Sequence, residues 1–252
     1  MEFIIFINKK LPPPPPPEDK YKVIHRSRLE LLDKGNNITK NIGDAWITED
    51  SIDKYYDPAE KWLDVFWNVN SVFYRCFDQL NIENIVELAC GHGRHVQKYL
   101  EKAQKITLVD INQQNIDFCK KRYSDEIKIN YLVNNGSNFD EIKSDSQTAI
   151  FTYDAMVHFE MLDILSYIKE SNRILMDGGK ILFHHSNAAF SPELGWYKPH
   201  GRNFMSADIF AYLALHHGFV VLSQDVFSWG EGENYAKDID CLSLCQKIKT
   251  IK

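Results

Sequence analysis

Glu87, Ala89, Gly91 and Gly93 stand at alternate positions in one short segment, Ile85-Val86-Glu87-Leu88-Ala89-Cys90-Gly91-His92-Gly93-Arg94-His95. An apolar run meets an acid, a tight glycine turn follows, and a helix-like segment begins at Val96. A second apolar run, Ile106 to Val109, closes on Asp110-Ile111, with Asp110 lying 19 residues after Gly91. Glycines let backbone N–H groups come close to a nucleotide-like ligand, and a carboxylate at the end of the next strand can grip ribose hydroxyls. A dinucleotide fingerprint needs a third glycine where this chain has Val96, which disfavours a pyrophosphate and a nicotinamide oxidoreductase. Glu87 sits four residues before Gly91, where a carboxylate can receive an ammonium group. A ligand with a ribose and an amino-acid end, but no phosphates, suits both facts. Without Asp110 the same glycines would serve an ordinary strand-to-helix turn equally well.

The segment resembles motif I of the class I S-adenosylmethionine-dependent methyltransferases, acid-x-Gly-x-Gly-x-Gly, with Ala89 in place of the first glycine. The resemblance covers roughly residues 82 to 248. It implies S-adenosyl-L-methionine as cofactor, held by Glu87, Ala89, Gly91, Gly93, Asp110 and Ile111. It also implies adenine contacts from Gly136 and Ser137 in Asn134-Asn135-Gly136-Ser137, and a cofactor contact from Asp154. A polar turn explains Asn134 to Ser137 as well.

Ligands of open α/β sheets sit beyond the carboxyl ends of the strands. Three histidines fall at such ends: His158 after one apolar run, and His184 and His185 after Ile181-Leu182-Phe183. If those strands are neighbours, at least two of the three face one pocket. An alcohol is a poor nucleophile at neutral pH, and a positioned base takes its proton as the new bond forms. His158 or His185 is the expected base, with His184, Asn187 and Arg202 positioning the acceptor. Strand-end histidines are often structural, and Arg202 has the alternative of a solvated surface. A loop from Ala188 to Phe204 adds Trp196, Tyr197, His200 and Asn203, and Ser206 is placed to cap the helix that follows. Magnesium held by Asp154 and the histidines is the alternative, but magnesium prefers oxygen ligands and no carboxylate cluster is evident, so no metal is expected. His184 to Asn187, Arg202, Gln224 and Trp229 in this order also resemble a subgroup of these methyltransferases found in bacterial capsule and surface-glycan gene clusters. That resemblance implies O-methylation of a sugar or other glycan precursor. N-methylation of a small amine or protein, and cofactor binding without catalysis, are the rival readings.

Elements must position these groups. Candidate strands cover 85–89, 106–110, 127–132, 148–153, 179–185, 219–227 and 239–247; candidate helices cover 93–103, 112–123, 160–175 and 206–217. Gly178-Gly179 reads as the stop of the third of these helices, near Met176. The alternation predicts an α/β fold: a Rossmann-like, seven-stranded, mostly parallel sheet with helices on both faces and a C-terminal antiparallel hairpin. Residues 1–20 read as a mobile tail with a run of six prolines, 21–80 as an N-terminal helical cap, and 81–252 as the methyltransferase domain. The aromatic-rich stretch with Tyr55, Tyr56, Trp62, Phe66, Trp67, Phe73, Tyr74 and Phe77 reads as packing residues, some of them at the cofactor mouth.

The 252 residues are 44% hydrophobic with a formal charge of −6, enough for a packed core and unsuited to a nucleic-acid partner by default. The five cysteines are odd in number and lack metal or disulfide spacing, which points to a reducing cytoplasm. Cys241 and Cys245 should share one buried strand face. No apolar run reaches membrane-spanning length. The expected partner is a small-molecule acceptor.

Overall fold

The structure, a computed structural model, describes residues 38–47, 55–189, 201–230, 232 and 235–249. The proline run and Trp196, Tyr197 and His200 lie outside the described residues. Before the sheet come α1 (Ile38–Asp44), α2 (Asp57–Glu60), α3 (Leu63–Phe66) and α4 (Val72–Phe77). Ser71 caps α4, its hydroxyl accepting the Tyr74 N–H at 3.0 Å.

The sheet is built from β1 (Asn84–Leu88), β2 (Lys105–Asp110), β3 (Ile129–Val133), β4 (Gln147–Thr152), β5 (Leu175–Ser186), β6 (Phe219–Trp229) and β7 (Ala236–Lys247). Between them run α5 (Val96–Tyr99), α6 (Gln113–Arg122), α7 (Met161–Ile174) and α8 (Ala207–His216). The strand order is β3-β2-β1-β4-β5-β7-β6. β1 to β5 are parallel, and β7 is antiparallel to both β5 and β6. This is the mostly parallel Rossmann-like sheet with an antiparallel C-terminal pair that the sequence predicts. The chain winds outward from β1 to β3, then returns to start β4 on the other side of β1. The crevice at the carboxyl ends of β1 and β4 is therefore the topological switch point.

Alternation assigns each side chain a face. Ile85, Ile106, Leu108, Phe151, Leu182 and Leu242 pack on one side with α4 and with Tyr99, Ile116 and Cys119. Val86, Val109, Ile150, Ile181, Phe183 and Cys245 pack on the other with Ile164, Ile168, Phe210 and Ala214. Both faces are covered, so β1 and β4 are almost wholly buried, and their apolar centres, Ile85-Val86 and Ala149-Ile150-Phe151, do not alternate with polar residues. Cys241 and Cys245 are buried, as their spacing predicts, and all five cysteines are free thiols.

Two element boundaries differ from expectation. The helix after the glycine loop is one turn, 96–99, rather than 93–103. Gly93 has φ +69° and belongs to the loop, and the Val96 N–H bonds to its carbonyl in a turn. Past Tyr99 the N–H groups of Lys102 and Ala103 both bond to the Tyr99 carbonyl, which tightens the chain into the next strand. The helix expected to stop at Gly178-Gly179 ends at Ile174, because Leu175 is already extended and pairs with Gln147. Gly178, at φ +80°, instead carries the irregularity by which β5 resumes pairing at Lys180 opposite Ala149.

Candidate active site

Glycine positions shape the first wall of the crevice. Ala89, Gly91 and Gly93 all take left-handed backbone, at φ +55°, +53° and +69°. Two are glycines, for which this conformation carries no Cβ penalty; Ala89 bears it. Asp110 ties the loop to β2. Its Oδ2 accepts the Gly91 N–H at 2.9 Å, and its Oδ1 accepts the Asn112 N–H at 2.9 Å and the Asn115 Nδ2–H at 3.1 Å. Burial raises the Asp110 carboxyl above the usual carboxylate range, against the bonds from Asn112 and Gly91 that lower it.

A cavity open to solvent lies over this wall. Ala89, Gly91, Asp110, Ile111, Gly136, Asp154 and His158 all line it. Gly136, at φ +86°, lets α1 approach: a Cβ there would stand 2.3 Å from Thr39 Cγ2 and 2.8 Å from Ile111 Cδ1. Thr39 in turn donates to Asp163, whose carboxyl burial pushes up to about 6. α1 is also fastened by Asn112 Nδ2, which donates to the Gly43 carbonyl at 2.9 Å.

Arg94 is a residue the sequence reading passed over. Its Nη2 pairs with Asp154 Oδ2 at 3.0 Å, and its Nη1 donates to the Ala59 carbonyl at 3.2 Å. The Tyr55 hydroxyl donates to the same Asp154 oxygen at 3.0 Å. Burial alone would lower the Arg94 pKa; Tyr55 and Asp154 outweigh it and raise it. An ion pair on a cavity wall presents one charge of each sign, the complement of an α-amino-acid zwitterion. A basic residue directly after the last loop glycine was the available signal. Tyr56 was also missed as a specific contact: its ring lies 4.0 Å from His92, which is stacked in turn 3.8 Å from Phe118. A Cβ on Gly91 would come within 2.8 Å of the Tyr56 ring. Tyr55 and Tyr56 line the cavity, as the aromatic-rich stretch suggested for some of its members, and Trp46 lines it too.

Other expected residues lie elsewhere. Glu87 shares a sheet face with Ile85, below the loop, and is not among the residues lining the cavity. The Tyr99 hydroxyl donates to it at 2.7 Å, and burial drives its pKa up to about 8 despite that bond. Ser137 donates twice to Asn135 Oδ1 in an exposed turn. Asn187 holds α8, its Oδ1 accepting the Ala207 N–H at 3.0 Å and its Nδ2 donating to the Asp238 carbonyl at 2.9 Å. Ser206 caps the same helix through the Ile209 N–H at 3.2 Å. Arg202 forks onto Asp240 with two bonds of 2.7 Å and lies over the Trp229 ring.

The expectation that at least two of the three histidines share a pocket is corrected, because adjacent strand residues point to opposite faces. His185 lies flat on Phe210 at 4.2 Å, with Nε2 2.8 Å from Ser243 Oγ and Nδ1 2.8 Å from the Ser186 carbonyl. Burial drives its pKa down to about 3. His184 faces the opposite side, among Tyr153, Phe227 and Trp229. Of the three, His158 alone lines the cavity. Its Nδ1 is 2.8 Å from the Gly201 carbonyl oxygen, and its ring packs on Trp46 at 4.9 Å.

Residues 85–179 match the family model described as a methyltransferase domain. Among curated proteins none matches the chain in sequence. Solved structures share its fold at low identity. An S-adenosylmethionine dependent methyltransferase from Mesorhizobium loti is 13% identical, with a TM-score of 0.57 over 69% of this chain and 97% of that one. The N-methyltransferase NodS from Bradyrhizobium japonicum is 14% identical, with a TM-score of 0.55 over 79% and 99%. A SAM-dependent methyltransferase from Methanosarcina mazei is 15% identical, with a TM-score of 0.53 over 68% and 96%. The matched segment runs from β1 into β5 and contains the glycine loop, Asp110, Asp154 and His158. The match over residues 85–179, together with a fold shared with S-adenosylmethionine-dependent methyltransferases, points to S-adenosylmethionine as the cofactor. The site fits that molecule: left-handed Gly91, a buried carboxylate at the end of β2 and a pair of opposite charges line one open cavity. No helix among the described residues is long and apolar enough to cross a membrane.

Proposed function

We propose that this methyltransferase acts on an oxygen of a small polar acceptor, a sugar or other surface-glycan precursor, and that His158 is the general base. Bound S-adenosylmethionine supplies a methyl group on sulfonium, with a neutral thioether as leaving group. Asp110 and the Gly91 and Gly93 loop would hold its ribose, Ile111 and Gly136 its adenine, and Arg94 and Asp154 the carboxylate and ammonium of its amino-acid end. Methyl transfer then asks the protein mainly for alignment and for removal of the acceptor proton.

The observation that carries the reading is the 2.8 Å contact from His158 Nδ1 to the Gly201 carbonyl. A carbonyl oxygen only accepts, so Nδ1 bears the ring hydrogen and Nε2 is the basic nitrogen. Trp46 buttresses the ring from the side. The glycan class of acceptor rests on the sequence resemblance through His184 to Asn187 and Trp229. Glu160 and Asp163, two carboxylates lining the same cavity, favour a second reading in which the acceptor is a small amine.

The test incubates the protein with methyl-labelled S-adenosylmethionine and panels of sugar nucleotides and amines, read by mass spectrometry. Label on a sugar oxygen supports the first reading, and label on amines alone supports the second. His158→Gln should lower kcat by about 10²–10⁴-fold on the accepted substrate, with cofactor affinity unchanged by calorimetry. Wild-type turnover in that variant removes His158 as the base.

A further inference from the structure

Asp240 of β7 is paired in register with Ser186 of β5, and its carboxylate is wholly buried. Arg202 grips it from the loop before α8, Nε to Oδ1 and Nη2 to Oδ2, both at 2.7 Å. On the other side His184 Nε2 stands 3.4 Å from Asp240 Oδ2. The opposite ring nitrogen, His184 Nδ1, accepts the backbone N–H of Asp154 at 3.0 Å. A backbone N–H only donates, so Nδ1 is bare and the ring hydrogen of the neutral imidazole is on Nε2, towards the Asp240 carboxylate. Arg202, Asp240, His184 and Asp154 thus stand in line behind Arg94 on the cavity wall, the step from His184 to Asp240 being a 3.4 Å contact and the others hydrogen bonds.

Asp154 is where the chain acquires a purpose. It follows the end of β4 with φ +59°, a conformation that residues with a side chain rarely adopt and that persists where their surroundings enforce it. The carboxylate so aimed lines the cavity and meets Arg94 and Tyr55. His184 holds the amide of the same residue from behind.

We propose that His184 is a positioning residue: backed by Asp240 and Arg202, it holds Asp154 in its left-handed conformation and so sets how tightly the amino-acid end of the cofactor is bound. This rests on Asp154 meeting that end of S-adenosylmethionine, and is independent of the acceptor and of the base. The simpler role for His184 is to fill space among Tyr153, Phe227 and Trp229.

Three substitutions separate the two roles. His184→Asn places an amide oxygen near the position of Nδ1 and keeps an acceptor for the Asp154 N–H. His184→Gln reaches Asp240 but leaves that N–H without its acceptor. His184→Phe fills the aromatic cluster and makes neither bond. Calorimetry with S-adenosylmethionine should give His184→Asn an affinity within about threefold of wild type, and His184→Gln and His184→Phe about tenfold weaker, the order of one lost buried hydrogen bond. Methylthioadenosine, which lacks the amino-acid end, should bind wild type and all three variants alike. Asp240→Asn should weaken S-adenosylmethionine less than His184→Phe does, since His184 keeps its bond from the Asp154 N–H. Wild-type affinity in His184→Phe overturns the proposal. So does an equal loss for S-adenosylmethionine and methylthioadenosine across the series.

Discussion

The cavity has two walls, and they are built by different means. At the ends of β1 and β2 the working groups are backbone: left-handed residues at 89, 91 and 93, and a Gly91 N–H tied to Asp110. Past the end of β4 they are side chains whose direction depends on neighbours far away in sequence. There Asp154 meets Arg94 from another strand's loop and His158 leans on Gly201, while His184, outside the cavity, accepts from the Asp154 amide. A backbone wall can be read from residue types. A side-chain wall needs the faces and the neighbours.

The sharpest way to break this contrast lies within the histidines. His158→Gln is expected to lose about 10²–10⁴-fold in turnover. His185→Phe should keep turnover within about threefold while losing about 1–3 kcal/mol of stability, because Ser243, left with Gln224, loses one of its buried partners. Steady-state kinetics beside urea unfolding decide it; comparable turnover losses in two stably folded variants would erase the distinction.

Glu87 sharpens the same point among the acids. Its pKa is about 8 in the folded protein against an ordinary 4.5, so the folded chain keeps a proton that the unfolded chain has released. That contribution to stability is fully present below about pH 4.5 and is lost as pH rises through 8, at up to about 1.4 kcal/mol per pH unit. Glu87→Gln should flatten this decline in urea midpoints measured from pH 5 to 8. It should leave S-adenosylmethionine affinity within about threefold. A large affinity loss would put Glu87 back at the ligand.

Asp110→Asn probes the backbone wall. Removing the charge that accepts from Gly91, Asn112 and Asn115 should weaken cofactor binding by about 1.5–3 kcal/mol, or roughly 10–150-fold. Calorimetric affinity unchanged from wild type would show that the loop keeps its shape without that anchor. The smallest effect belongs to Ala89→Gly. Relief of about 1–2 kcal/mol of left-handed strain is partly offset by the greater freedom of glycine in the unfolded chain, leaving a gain of about 0.5 kcal/mol by chemical denaturation.

Strand positions were legible because β1 and β4 are apolar runs bounded by polar turns, and burial on both faces produces that pattern. The short helix after the loop was not, since residues 93–103 favour helix locally while Gly93 is held in the loop by contacts beyond its own segment. Arg94 and Tyr56 went unrecognised for a related reason. Their partners, Asp154 and His92, are 60 and 36 residues away in sequence, and nothing local marks the pairing.

The sequence by itself determined the fold class, the glycine loop and a carboxylate, Asp110, at the end of β2, because each follows from short-range demands: short apolar runs alternating with helix-like segments, positive φ, and an acid that closes an apolar run. Only the tertiary structure decided which acid and which histidine reach the cavity. Glu87 and His185 are assigned to the sheet interior by the strict alternation of strand side chains. Asp154 and His158 reach the wall because they lie past the end of β4, where that alternation no longer binds the chain.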